Sequence, residues 1–183
     1  MHSKRLVAPV VLLVLAGCGG EPDQDRDAPA RVQPAAALTA DQARVLEGAC
    51  ERSRAAARAY WRFTRRRAPA LERAFRNRSI AAIEREIAGF TTKARRSAGI
   101  IRKQRRALAV EWPAGARADL DRIDRAMRAL ADAHEQSAKA ISSGDGAQLG
   151  AATRTLNRAL DAKPQLTPEI ADAAPACARR IGR

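Results

Sequence analysis

From Thr39 onward, apolar residues recur every three or four positions, and no stretch alternates every second residue. That period belongs to the buried faces of α-helices and excludes half-buried strands. Thr39 and Gln42 form a capping-box pattern, opening a helix predicted to run to about Arg67 and stop before Pro69; a short helical piece follows from Leu71 to Phe75. Ser79 is predicted to cap a long helix with the seam Ile80, Ile83, Ile87, Phe90, Ala94, Ile101 and Leu108. Trp112-Pro113 ends it, and Pro113 suits the first turn of the next helix. That helix carries the seam Leu120, Ile123, Met127, Leu130, His134 and Ile141 and stops at Gly144. Asp145 caps a shorter helix to about Lys163, and Thr167-Pro168-Glu169 starts a last one. The expected fold is all-α, an antiparallel bundle of about four main helices plus a short C-terminal helix.

Before Thr39 the pattern changes. His2, Lys4 and Arg5 precede an apolar run, Leu6 to Gly17, interrupted only by Pro9. It is shorter than the about 20 residues a spanning helix needs, so residues 1–17 read as a signal peptide. The run ends in Leu15-Ala16-Gly17-Cys18, which resembles the bacterial lipobox. The resemblance implies cleavage before Cys18 and lipidation of its thiol, hence an extracytoplasmic protein held to a membrane by lipid. Residues 18–37 are rich in Gly, Asp, Ala and Pro without apolar periodicity, and read as a disordered linker. Residues 38–183 form the folded domain.

In such a compartment the two remaining cysteines are expected to pair. Cys50 shares a helical row with Leu46, Ser53, Ala57 and Tyr60, and Cys177 with Ile170, Ala173, Ala174 and Ile181. A Cys50–Cys177 bridge would close most of the domain into one loop, worth about 4 to 5 kcal/mol in the chain-entropy account. The alternative is two buried thiols. With only six aromatic residues and much of its apolar content alanine, the core is expected to be thin, without large deep pockets.

Charge is distributed unevenly. The chain carries a formal net charge of +14, and between Arg52 and Arg106 there are eighteen Arg or Lys against Glu72, Glu84 and Glu86. Arg54, Arg58, Arg62 and Arg66 repeat every four residues on the first helix. Arg95, Arg96, Arg102, Lys103 and Arg106 lie opposite the second helix's seam. The third helix instead carries the stabilising acid-first pairs Asp121–Arg125, Asp124–Arg128 and Glu135–Lys139. The nine basic residues are candidates for binding an anionic surface: lipid headgroups, wall polymer or an envelope protein. The alternative is a solvated face set by base composition, since only five of the thirty-four basic residues are Lys. Tyr60 and Trp61 stand among arginines without a nucleic-acid motif, so nucleic acid is not an expected partner.

Catalysis is not expected. His134 is the one histidine after Cys18, and its place on the third helix's seam suits packing. A di-iron bundle needs Glu three residues before a His, where this chain has Ala131, and Cys-x-x-Cys-His for covalent haem is absent. Met127 and His134 lie about 10 Å apart along one helix and cannot share a metal. No cofactor or metal is expected. The lipobox, the acidic Pro-containing linker, Cys50, the Trp112-Pro113 and Gly144-Asp145-Gly146 turns and Cys177 together resemble small helical lipoproteins of unknown function from high-GC Gram-positive bacteria. The expected function is therefore a non-catalytic, lipid-anchored binding or interaction module using its basic face; the alternative is a carrier or sensor holding a small molecule between helices near His134.

Overall fold

The computed structural model describes residues 38–180. The proposed leader, Cys18, the linker and Ile181 lie outside the described residues. Those described are all-α: α1 (Ala40–Arg76), α2 (Ile80–Ala107), a single 3-10 turn at Ala114–Ala116, α3 (Arg117–Ser143), α4 (Gly146–Asp161), α5 (Pro168–Ala173) and α6 (Pro175–Ala178). α1 packs against α2, α2 against α3, α4 folds back along α3, and α6 returns to α1.

The ends of these helices follow their local chemistry. Gln42 N–H donates to Thr39 Oγ1 and Thr39 N–H to Gln42 Oε1, closing the capping box. Asp145 accepts from the N–H groups of Ala147 and Gln148, and these bonds hold its carboxyl below the usual carboxylate range. Ser79 stands at the N-cap of α2, but its side chain makes no capping bond. Gly144, with φ of 71°, supplies the left-handed residue that ends α3. Arg78 takes the equivalent position in the α1–α2 turn at φ 49°, where a Cβ is unfavourable. Arg78→Gly should therefore raise stability by about 1 kcal/mol, read as a higher urea midpoint at unchanged slope; an unchanged midpoint would show that the turn bears no such cost.

Two helix limits and one seam position differ from expectation. α1 does not stop before Pro69 but continues to Arg76. Pro69 removes one backbone bond and crowds the Arg65 carbonyl, yet both residues are exposed, so water can satisfy that carbonyl. Ala74, buried beyond them, holds the added turns in place. Ile80, expected on the α2 seam, is 71 % exposed, because the seam meets its neighbours only from about Ile83 onward. The last helix divides at Ala174, whose φ of −140° and ψ of 70° lie outside the α region that the following Pro175 disfavours.

The core joins Leu46, Ala57 and Tyr60 of α1, Ala94 and Ile101 of α2, Ile123, Met127 and Leu130 of α3, and Leu156 and Leu160 of α4. Alanines at Ala49, Ala57, Ala94 and Ala98, all without exposure, let the helices approach closely. At one end of the bundle several long-range links converge. Gln42 Nε2 donates to the Glu111 carbonyl at 3.1 Å, and the buried Asp119 carboxylate accepts from Thr167 Oγ1 at 2.7 Å and pairs with Arg122. Glu47 Oε2 accepts from the Ala176 N–H at 2.8 Å, and Cys50 and Cys177 form the expected disulfide, Cα atoms 5.2 Å apart. No helix among the described residues is long and apolar enough to cross a membrane.

Candidate functional site

The basic residues are sorted by what α3 presents to them. Arg102 Nη2 lies 3.0 Å from Glu135 Oε2, Arg95 Nε 4.0 Å from Glu135 Oε1, and Arg105 Nε 2.6 Å from Asp124 Oδ1. Asp124 also keeps its expected helical neighbourhood, pairing with Arg128. Along the sequence, α2 has no acid between Lys93 and Arg106; in the folded domain, α3 supplies them. Arg67 pairs with the buried Glu86 across the α1–α2 contact.

Arg54 departs from the surface row expected of it. It is only 7 % exposed, and its Nε donates to the Arg180 carbonyl at 3.2 Å, so it anchors the C-terminal segment. Burial, then the neighbouring Arg58 and Arg179, lower its pKa. Arg62, Arg66, Arg96, Lys103 and Arg106 are exposed and Arg58 is half-buried; none makes an ion pair among the described residues.

Two residues outside the expected set join them. A shallow groove of about 360 Å³ runs between α1 and α2, floored by Ala55, Ala56, Ala59 and Ile100 and flanked by Arg52, Lys93 and Arg96. Arg52 is held there by a 2.6 Å bond from its Nε to Gln104 Oε1 and lies over Gly48, where a Cβ would stand 3.0 Å from Nη1. Ser97 also lines the groove, and its buried hydroxyl has no hydrogen-bond partner. Arg62 and Arg66 follow Ala55 and Ala59 at helical spacing along the same side of α1, and Lys103 follows Arg96 and Ile100 on α2. The signal for this face was the small-residue stripe Ala55, Ala56, Ala59 beside Arg52. The four-residue Arg repeat drew attention to Arg54 instead.

On the other side of α1 lies a different feature. An open, apolar cleft of about 370 Å³ separates α1 from α4 at the end of the bundle remote from the disulfide. Its walls are Tyr60, Trp61, Leu71 and Phe75 of α1, Ile141 of α3, and Leu149 and Leu156 of α4, with Ile87 and Phe90 of α2 below. The cleft is open to solvent and is not a large deep pocket. α4 takes α3 as its principal neighbour and leaves the α1–α4 edge unfilled. A larger hollow, about 720 Å³ beside the loop after α2, is lined by Arg105, Arg106 and Arg117 but also by Glu111, Asp121 and Asp124, whose opposite charges offset one another.

His134 sits behind the cleft wall, fully buried, its ring edge-on to Tyr60 with centroids 4.8 Å apart. Neither ring nitrogen has a hydrogen-bond partner, and burial pushes its pKa down to about 4. It is a packed neutral imidazole. Among the described residues no group of three or more His, Cys, Asp or Glu comes together to hold a metal. No family model matches the chain, and no curated protein or solved structure is detectably similar to it.

Proposed function

We propose that the protein is a lipid-anchored, extracytoplasmic binding module that lays the α1–α2 face against an anionic surface of the envelope. The anchor rests on the lipobox resemblance at Cys18, and the binding on one observation: Arg52, Lys93 and Arg96 converge on a groove with no acid paired to any of them among the described residues. Cations kept apart from acids retain their full attraction for an anionic layer, about 1 kcal/mol per residue near such a surface. Those already paired with Glu135 and Asp124 contribute less, because binding must first compete with the acid. A tether raises the local concentration of the face, so individually weak contacts sum to useful binding. The reading is of a non-catalytic protein.

Vesicle sedimentation with an exported Cys18→Ser chain tests the face apart from the anchor. Binding to anionic vesicles should weaken steeply as salt rises and fall at least tenfold when Arg62, Arg66, Arg96 and Lys103 are changed together to Gln. Changing Arg95 and Arg102 to Gln, the pair facing Glu135, should alter binding by no more than about twofold. Equal losses per charge removed in the two sets would show that net charge alone matters and would sink the assignment to this face. For the anchor, Cys18→Ser should abolish incorporation of a labelled fatty acid; continued incorporation would remove Cys18 from the reading.

A further inference from the structure

We infer that the cleft between α1 and α4 is a second binding site, taking the hydrocarbon chain of a single-chain anionic lipid such as a long-chain fatty acid. It lies on the side of α1 away from the basic groove and does not depend on that groove's function.

The cleft holds about 370 Å³ between an α1 wall running from Tyr60 to Phe75 and shorter facing walls from Ser137 to Gly144 and from Leu149 to Asn157, and its lining is mostly apolar. An open apolar trough of that kind accommodates a hydrocarbon chain laid along α1. Trp61, Phe75 and Leu149, on the walls, are 44 %, 55 % and 41 % exposed, a cluster of large apolar side chains on a domain otherwise rich in charge. Clustered exposure of this kind marks a surface that is covered in use.

Charge at the lip selects the ligand's head. Arg58 and Arg65 stand on the same stripe of α1 as Trp61, and Arg76 continues it one turn beyond Glu72, the acid of the lining. Arg58, Arg65 and Arg76 make no ion pair among the described residues. An apolar cleft with these three arginines on the flanking stripe of α1, outside a lining whose one charged residue is Glu72, matches a chain ending in carboxylate or phosphate. The source is the membrane itself: the twenty residues between Cys18 and Thr39 reach at most about 70 Å when extended, so a domain tethered at Cys18 stays within range of bilayer lipid.

The test uses the exported chain carrying Cys18→Ser, with isothermal titration calorimetry as readout, titrated with saturated fatty acids of increasing length and with the matching alkylamines. Affinity should rise about fourfold per added methylene until the slot is full, and each carboxylate should bind at least tenfold tighter than its amine. Thr153→Trp, which places a large side chain into the cleft from an exposed position on α4, should abolish binding while the melting curve stays cooperative. Phe75→Ser offers an independent variant at the mouth and should weaken binding at least threefold. Affinity without chain-length dependence, or unchanged in both variants, overturns the proposal. So does a dimer in sedimentation that Phe75→Ser dissolves, which would make a second copy of the chain the occupant.

Discussion

Changing Cys50 and Cys177 together to Ala should lower the stability of the oxidised domain by about 5 kcal/mol, against the total of about 5 to 15 kcal/mol typical of a folded domain. The magnitude follows from the loop. The two cysteines are 127 residues apart, so the bridge removes most of the freedom of the unfolded domain. It also fastens the short C-terminal elements to α1, beside the buried Ala174 and Ala176 and the Arg54–Arg180 bond. α6 spans Pro175–Ala178, too short to persist alone, and is held to α1 by the disulfide and the Ala176 N–H to Glu47 bond. Both cysteines are buried, so alanine replaces them without stranding a polar group. Urea unfolding of the variant and of the wild type, each under non-reducing conditions, measures the difference. A loss below about 1 kcal/mol would mean that the unfolded domain is already compact enough for the loop closure to matter little. A second expectation accompanies it: amide exchange should accelerate first in residues 168–178.

Acidification should cost the domain about 3 kcal/mol through His134 alone, as the pH falls from about 6.5 to about 4. In the folded state its pKa is about 4, against an ordinary 6.5, so between those values the unfolded chain holds a proton that the folded chain lacks. Stability therefore rises with pH across that window, is complete above about 6.5, and is lost as pH drops through the folded value. The cause is burial: the ring has no exposure, and neither nitrogen meets an acceptor that would favour the charged form. His134→Phe retains a ring against Tyr60 and removes both stranded nitrogens. At neutral pH it should be as stable as the wild type or more so, by up to about 3 kcal/mol, since an unpartnered buried polar group is costly. The difference between variant and wild type isolates this residue from every other titrating group. If that difference does not widen on acidification, His134 is protonated in the folded domain and must have a partner.

Helix type and most helix ends were legible along the sequence because they depend on neighbours three or four residues away. Thr39–Gln42, Asp145 and Gly144 act locally, and each does what its position implies. The cysteine pair was legible for a related reason: both cysteines lie on apolar rows, and apolar rows turn inward. Pro69 was misleading because a proline's cost in a helix depends on whether water can reach the carbonyl it displaces, and that is settled by exposure. Ile80 was misleading because periodicity marks which face of a helix is apolar, but not how far along that face a neighbour extends.

The basic surface shows the same division most clearly. The sum of its charge and its confinement to α1 and α2 are properties of composition and order, so the sequence alone determined them. Which cations keep that charge available was decided only in the tertiary structure. The rotation of α2 against α3 brings Glu135 and Asp124 to Arg102, Arg95 and Arg105, while the packing of α1 on α2 gathers Arg52, Lys93 and Arg96 around alanines. The cleft belongs to the same class: it exists because α4 lies along α3 and leaves its edge toward α1 open. Electrostatic pairing acts over a few ångströms between residues many positions apart, and spacing along one helix carries no information about the azimuth of the next.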